Sequence, residues 1–291
     1  MALASLSLVV LAAFVHAGWN LLAKRAAPVG PVFLFACNLV SCIAYAPWAI
    51  TLLATGGGIP WTAAGAGFLL LSGLIHFAYS LCLQRGYQLA DLSVVYPVAR
   101  GTGPMLSSLG AFLALGETPT GSGLAGLLLV ILGILFIATR GELGAFTRPG
   151  GQTGLRWGTA TGGLIACYTV IDAYAVKVLD IAPVLLDWFS SLLRLVLLLP
   201  LVLSDRGGAM AAMRGYWPIA FAVGLLAPVS YILVLAALAA GAPLSLVAPA
   251  REMSMMVGAL LGMLVLRERV GAWRLAGCGL LIAGVVLLSA S

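Results

Sequence analysis

The chain has 291 residues, of which 62% are hydrophobic and only 8% charged, and its mean hydropathy is +1.12. Soluble domains carry about 25% charged residues, so a soluble core with a polar coat is excluded and an integral membrane protein is expected. The formal charge of +6 comes from 15 Lys and Arg against 9 Asp and Glu; these basic residues are scattered over loops and spans instead of gathered in one patch, which excludes a nucleic-acid partner.

A spanning helix needs about 20 apolar residues, and ten stretches qualify: 3–23, 31–54, 63–84, 92–115, 122–139, 157–178, 183–203, 216–239, 243–266 and 271–289. The first is apolar from Ala2 without a basic segment before it and is followed by Lys24-Arg25, so it reads as a span and not as a cleaved leader. It carries His16, Asn20 and Lys24 at every fourth position, with Trp19 beside them. The third span places His76, Tyr79 and Ser80 on one face, and the fourth has Tyr96 and Arg100 one turn apart around Pro97. Residues 140–156, with Arg148, Pro149, Gly150 and Gly151, read as a linker between a first unit, 1–139, and a second, 157–291. The sixth span then offers Tyr168 and Asp172, the seventh Asp187 and Arg194, and the ninth Arg251 and Glu252 just after Pro249. Cys37, Cys42, Cys82, Cys167 and Cys278 all fall in apolar stretches without a Cys-x-x-Cys pair, so buried thiols are expected and neither a disulfide nor a metal site.

The two units repeat each other. At an offset of 152, Tyr79, Ala90, Ser93, Val95, Pro97 and Gly110 meet Tyr231, Ala242, Ser245, Val247, Pro249 and Gly262. After a slip of one residue, Glu117, Gly126 and Gly133 meet Glu268, Gly277 and Gly284. Five spans per unit is an odd number, so homologous units would cross the membrane in opposite senses. That inverted arrangement is the mark of many secondary carriers. Loops after odd-numbered spans hold nearly all the Lys and Arg, while those after even-numbered spans hold only Lys177. The positive-inside rule therefore puts the odd loops in the cytoplasm and both termini outside.

Ionisable groups in mid-span cost at least ~2.5–3.5 kcal/mol each and default to functional candidates. Arg100 lies well inside its span with no acid near it in sequence and is expected to contact substrate. His76, Tyr79 and Tyr96 are expected to line a cavity for a small organic molecule. His16 fits packing and lining equally, and Glu252 is balanced between pairing with Arg251 and serving the site. Asp187 and Arg194, two turns apart, are expected to form a structural ion pair. Lys24, Glu117 and Glu268 sit at span ends, where interface anchoring is the plainer role. The matched prolines Pro97 and Pro249 each remove a backbone donor, so two broken helices are expected to flank a binding site. No Walker A, His-Glu-x-x-His or Gly-x-Ser-x-Gly sequence is present, so no nucleotide or metal cofactor is expected, and transport would draw on gradients or on a separate energising subunit.

Several of these segments resemble one family. They are His16-Ala-Gly-Trp19-Asn20-Leu-Leu-Ala-Lys24, the Leu115-Gly116-Glu117 turn ahead of Leu124-Ala125-Gly126, and its echo Arg267-Glu268 ahead of Leu275-Ala276-Gly277. Together they resemble the EamA-type carriers of the drug/metabolite transporter superfamily, the bacterial amino-acid exporters in particular. The resemblance implies an all-α membrane protein of ten helices, built as two inverted five-helix repeats around a central cavity, with alternating access, no cofactor and cytoplasmic termini. It nominates Trp19, His76, Tyr79, Tyr96, Arg100, Tyr168 and Glu252 as cavity residues.

The expected function is a multi-pass inner-membrane carrier exporting small polar metabolites, most of all aromatic and neutral amino acids. It needs only the bilayer, its substrate and a coupling proton as partners, with no obligate protein partner. Arg100 or Arg251 would take the carboxylate, and Asp172, Glu252 or tyrosine hydroxyls the amine. Trp19, Tyr79, Tyr96 and Tyr168 would flank the side chain, with Asn20 and His76 completing the set. Glu252, Asp172 or His76 would carry the proton. The alternatives are a carrier of organic anions such as phosphonates or sugar phosphates, favoured by in-span arginines, and an intramembrane lipid-modifying enzyme.

Overall fold

A computed structural model describes residues 3–56, 58–59, 61–90, 92–147, 150–266 and 271–290. Glu268, expected as an interface anchor, lies outside these residues, as do Arg267 and Arg269 and the linker residues Arg148 and Pro149. The helices are α1 (Leu3–Arg25), α2 (Pro31–Ala54), α3 (Ala63–Leu89), α4 (Leu92–Ala114), α5 (Gly121–Thr139), α6 (Gly151–Lys177), α7 (Pro183–Ser204), α8 (Arg206–Ala212), α9 (Trp217–Ala239), α10 (Leu244–Ala250), α11 (Met253–Leu266) and α12 (Ala272–Ser289). Among the described residues there is no strand.

Local chemistry sets several of the helix starts. Thr62 and Thr120 accept hydrogen bonds from the backbone N–H groups of Gly65 (3.1 Å) and Gly123 (3.0 Å), capping α3 and α5. Pro31 and Pro183 open α2 and α7, where the missing N–H would have had no helical partner.

Nine stretches among the described residues are long and apolar enough to cross a membrane, counting Leu244–Leu261 through α10 and α11 as one. The remaining predicted span became α4, whose Arg100, two prolines and small polar residues dilute its apolar content. The surface of the bundle is itself apolar: Phe14, Ile43, Leu113, Leu128, Phe221 and Val286 are all exposed, as lipid contact requires. Trp61, Trp217 and Trp273 are exposed near the starts of α3, α9 and α12, the depth at which indole rings suit the membrane–water interface. Cys167 is also exposed on α6, contrary to the buried position expected of it, while Cys37, Cys42 and Cys278 are buried.

The helix neighbours of the two halves can be paired one with another. The main neighbours are α5 with α12, α4 with α6, α1 with α9, α3 with α6, α2 with α7, α2 with α9, α3 with α7 and α1 with α11. Exchanging α1 for α6, α2 for α7, α3 for α9, α4 for α10–α11 and α5 for α12 turns that set of neighbours into itself. Backbones approach closely where α5 meets α12. A Cβ on Gly126 would lie 2.8 Å from the Gly284 carbonyl oxygen, and one on Gly133 would lie 2.8 Å from that of Gly277. Partners run down α12 as residues run up α5, so the two helices are antiparallel, and only glycine lets the backbones come this close.

Several features differ from those predicted, and α3 runs on to Leu89 instead of ending at 84. α6 begins at Gly151, not 157: its first residues, Gly-Gln-Thr-Gly-Leu-Arg, are too polar for hydropathy to mark, and Gly154 packs closely on Val94 of α4. α8 is a short amphiphilic turn that hydropathy could not reveal, started by Asp205, which accepts from Gly208 N at 2.9 Å. The matched prolines are followed by unlike structure. Pro249 sits one residue before the end of α10, and the chain turns through Arg251 and Glu252 before α11 begins. Pro97 does not break α4, which runs on from Leu92 to Ala114. Each proline is the sixth residue of its helix and forfeits one hydrogen bond there, so the proline alone does not account for the turn after Ala250.

Candidate functional site

A cavity of about 320 Å³ lies at the centre of the bundle. α1 contributes His16 and Trp19, α2 Asn38 and Ser41, α3 His76 and Tyr79, and α4 Arg100. The second half contributes Tyr168 from α6, Asp187, Ser191 and Arg194 from α7, Ser230 and Tyr231 from α9, and Arg251 from the turn after α10. The helices reach this point with their polar faces inward because every other direction leads to lipid or to apolar packing.

The walls are aromatic. Tyr168 stacks on His76 with ring centroids 4.1 Å apart, and meets Tyr79 (5.5 Å) and Tyr231 (6.2 Å) edge to face. The Arg251 guanidinium lies 6.0 Å from the centre of the Tyr168 ring. On the opposite wall His16 and Trp19 meet edge to face at 4.7 Å, and the Trp19 indole N–H donates to Ser230 Oγ at 3.0 Å, fixing the ring across the α1–α9 interface.

Charge is arranged behind and around these rings. Glu252 is buried with 1% exposure, and its carboxylate lies 2.9 Å from Arg100 Nε and 3.9 Å from Arg251 Nε. Arg100 also donates from Nη2 to Ser254 Oγ at 3.2 Å. Asp172, equally buried, accepts from the Tyr231 hydroxyl at 2.5 Å, and its Oδ2 lies 3.8 Å from His76 Nε2. His76 Nδ1 is 2.9 Å from the Ser72 carbonyl oxygen. A carbonyl only accepts, so Nδ1 carries the hydrogen and Nε2 of the neutral ring faces Asp172 with its lone pair.

Of the residues expected at the site, Trp19, His76, Tyr79, Arg100, Tyr168 and Arg251 line the cavity. Asp172 and Glu252 stand behind that lining, holding Tyr231 and the arginines. Tyr96 lies beside Arg100, whose guanidinium is 5.8 Å from its ring, and packs into the apolar core. Asn20 is brought to neither place. It is exposed, because the α1 face carrying His16 and Trp19 is rotated away from it. The expectation that no acid neighbours Arg100 holds only along the sequence, since Glu252 arrives from the other half. Asp187 and Arg194 do not form the ion pair expected of them. Both face the cavity, and Arg194 donates instead to Ser190 O (3.2 Å) and Ser191 Oγ (3.0 Å).

Sequence reasoning passed over Asn38, Ser41 and Tyr231. The first two are among the few polar residues of α2, one turn apart, and Tyr231 repeats Tyr79, so signals for all three were present.

Glu117 also departs from its expected role as an interface anchor. Its carboxylate accepts from Leu244 N (2.6 Å), Ser245 N (2.9 Å) and Ser245 Oγ (2.6 Å), and Lys177 Nζ lies 3.5 Å away while donating to Ala242 O at 2.9 Å. The α4–α5 turn, the end of α6 and the start of α10 are thereby clasped together at one face of the bundle. The clasp is satisfied by protein donors, which a snorkelling anchor would not be.

These features fit comparison with known proteins. The model of the EamA-like transporter family matches residues 3–139, the whole of α1 to α5. The first half of the chain is thus similar to that family. The EamA-like family lies within the drug/metabolite transporter superfamily, and its members are membrane transporters. A search of curated proteins finds no match. Among solved structures 29 chains match. One, described only as the crystal structure of a protein, superimposes with a TM-score of 0.76 over 98% of this chain and 96% of its own, at 16% sequence identity. At that identity the likeness shows a shared fold across both halves and nothing of substrate.

Proposed function

We propose that this protein is an EamA-like secondary carrier that exports small polar metabolites, foremost aromatic and neutral amino acids, across the inner membrane by alternating access. The observation that carries this reading is the central cavity, where charges of both signs and a cluster of aromatic rings are presented together to one small volume. A zwitterion with an apolar side chain needs that combination. The symmetric helix neighbours and the antiparallel α5–α12 seam support two inverted five-helix repeats as the scaffold. On the loop charges, the face clasped by Glu117 and Lys177 is the external one.

The gap between His76 Nε2 and Asp172 Oδ2, which face each other at 3.8 Å with no hydrogen of their own between them, supports a coupling proton there as part of this reading. Ser72, Tyr231 and Tyr168 surround that gap, and Asp187 and Arg194 face it from α7. Glu252 is a poorer carrier, because two arginines hold its charge.

Three arginines line the cavity, which favours organic anions as a second reading. Against it, Glu252 already neutralises Arg100. Counterflow in proteoliposomes distinguishes the two: preloaded phenylalanine or leucine should accelerate uptake of the labelled amino acid, and phosphonates and sugar phosphates should not. Exchange of phosphonates without amino acids would replace the first reading with the second.

A further inference from the structure

Two oppositely charged side chains of α7 face the cavity without touching each other. Asp187 is 8% exposed. Among the described residues nothing donates a hydrogen bond to its carboxylate, and no cation lies within the 4.0 Å of an ion pair. Arg194 donates to Ser190 O and Ser191 Oγ of its own helix, which draws the guanidinium back toward the helix start and so toward Asp187. Its other N–H groups remain available to the cavity.

A buried carboxylate without a donor is costly, and so is a half-filled guanidinium. Elsewhere opposite charges already meet one another, since Arg100 and Arg251 flank Glu252 and Asp172 Oδ2 accepts from Tyr231, although Asp172 Oδ1 and Glu252 Oε2 accept no hydrogen bond. The α7 pair is the opposite-charge pair left for a ligand.

We infer that Asp187 and Arg194 are the two poles of a zwitterion site, Asp187 taking the ammonium and Arg194 the carboxylate of an α-amino acid whose side chain lies against Trp19, Tyr79 and Tyr168. The inference rests on the reading of the protein as an amino-acid carrier, and it moves head-group recognition from Arg100 and Glu252 to α7. Two charge-assisted bonds of about 2.8 Å each, added to the width of an amino-acid head, bridge a gap that a direct Asp–Arg contact leaves open. Specificity follows, because a ligand carrying one charge fills one pole and strands the other.

The test is calorimetric binding to the full-length protein in detergent micelles, with phenylalanine, phenylpropionate (no amine) and phenethylamine (no carboxylate) as probes and leucine and a phosphonate alongside. The parent should bind phenylalanine at least tenfold more tightly than either single-charge analogue. Asp187→Asn should lose at least tenfold for phenylalanine and leave phenylpropionate unchanged. Arg194→Gln should lose phenylalanine and leave phenethylamine unchanged. Elution profile and unfolding temperature check that the variants are folded; if either variant is not, the parent's ranking of the three probes decides. Parent binding of phenylalanine that both folded variants retain, or equal loss of all three probes, overturns the α7 assignment while the carrier reading stands. A parent that ranks the three probes equally does the same. A parent that binds the phosphonate and no amino acid overturns both.

Discussion

Arg100 and Glu252 stand at corresponding positions of the two halves, 152 residues apart, and meet with Arg100 Nε 2.9 Å from the Glu252 carboxylate. In the inverted-repeat scaffold proposed above, residues related by the pseudo-twofold touch only near its axis, so this pair would mark that axis. At that point the repeat carries opposite charges. Removing Glu252 would leave two buried arginines sharing no acid. Glu252→Gln should therefore lower stability by about 3–5 kcal/mol, and the exchange Arg100→Glu with Glu252→Arg should recover part of the loss. Thermal unfolding in detergent measures both. Equal unfolding temperatures for the parent and Glu252→Gln would show that the pair adds no stability.

Tyr168 holds the aromatic wall together, since His76, Tyr79 and Tyr231 all meet its ring. Each such contact contributes about 0.5–1.5 kcal/mol beyond area burial. Tyr168→Ala should weaken binding of an aromatic amino acid by roughly tenfold or more, and Tyr168→Phe should keep most of it. Equilibrium binding of phenylalanine tests the pair, and equal losses in the two variants would assign the effect to the hydroxyl instead of the ring.

The Tyr231 hydroxyl is the donor that satisfies Asp172 Oδ2. Tyr231→Phe should cost about 1–3 kcal/mol by stranding that oxygen, and much less when Asp172→Asn is already present. A double-mutant cycle of unfolding midpoints reads the coupling directly. Additive effects would mean that the short contact contributes little.

At the α5–α12 seam, Gly133→Ala would push a methyl group to 2.8 Å from both Gly277 O and Leu281 N, with backbone on each side and no flexible side chain to yield. Overpacking of this kind costs about 1–3 kcal/mol. Gly163→Ala, where nothing lies within 4 Å, should be neutral or mildly stabilising. Unfolding midpoints of the two variants should separate clearly, and similar values would mean that the seam opens without cost.

The Glu117 clasp gives a labelling prediction. In a background lacking the five native cysteines, Ser245→Cys should be shielded from a membrane-impermeant maleimide. Adding Glu117→Ala, which removes the acceptor for Leu244 N and Ser245 N, should expose it. Equal labelling in the two backgrounds would show that the clasp does not hold this face shut.

Much of the fold was legible in the sequence because a membrane imposes strong rules, and length and hydropathy marked the helices. Boundaries were lost where a helix begins on residues too polar for hydropathy to mark, as at Gly151. The charged residues of the site were legible as a set but not as partners. Arg100 and Glu252, or Asp172 and Tyr231, are brought together by packing between halves, and no local spacing encodes that. Asp187 and Arg194 misled for the opposite reason, since proximity along one helix suggested a contact that their rotamers do not make. Glu117 was misread because a carboxylate at a span end looks the same whether it meets water or the start of another helix.

The glycine seam has one further consequence. Gly126 with Gly284 and Gly133 with Gly277 are the same contact seen from either half, so exchanging the conformations of the halves returns that contact to itself. In the inverted-repeat carrier proposed above, this seam would be a fixed axle whose energy drops out of the difference between the two access states.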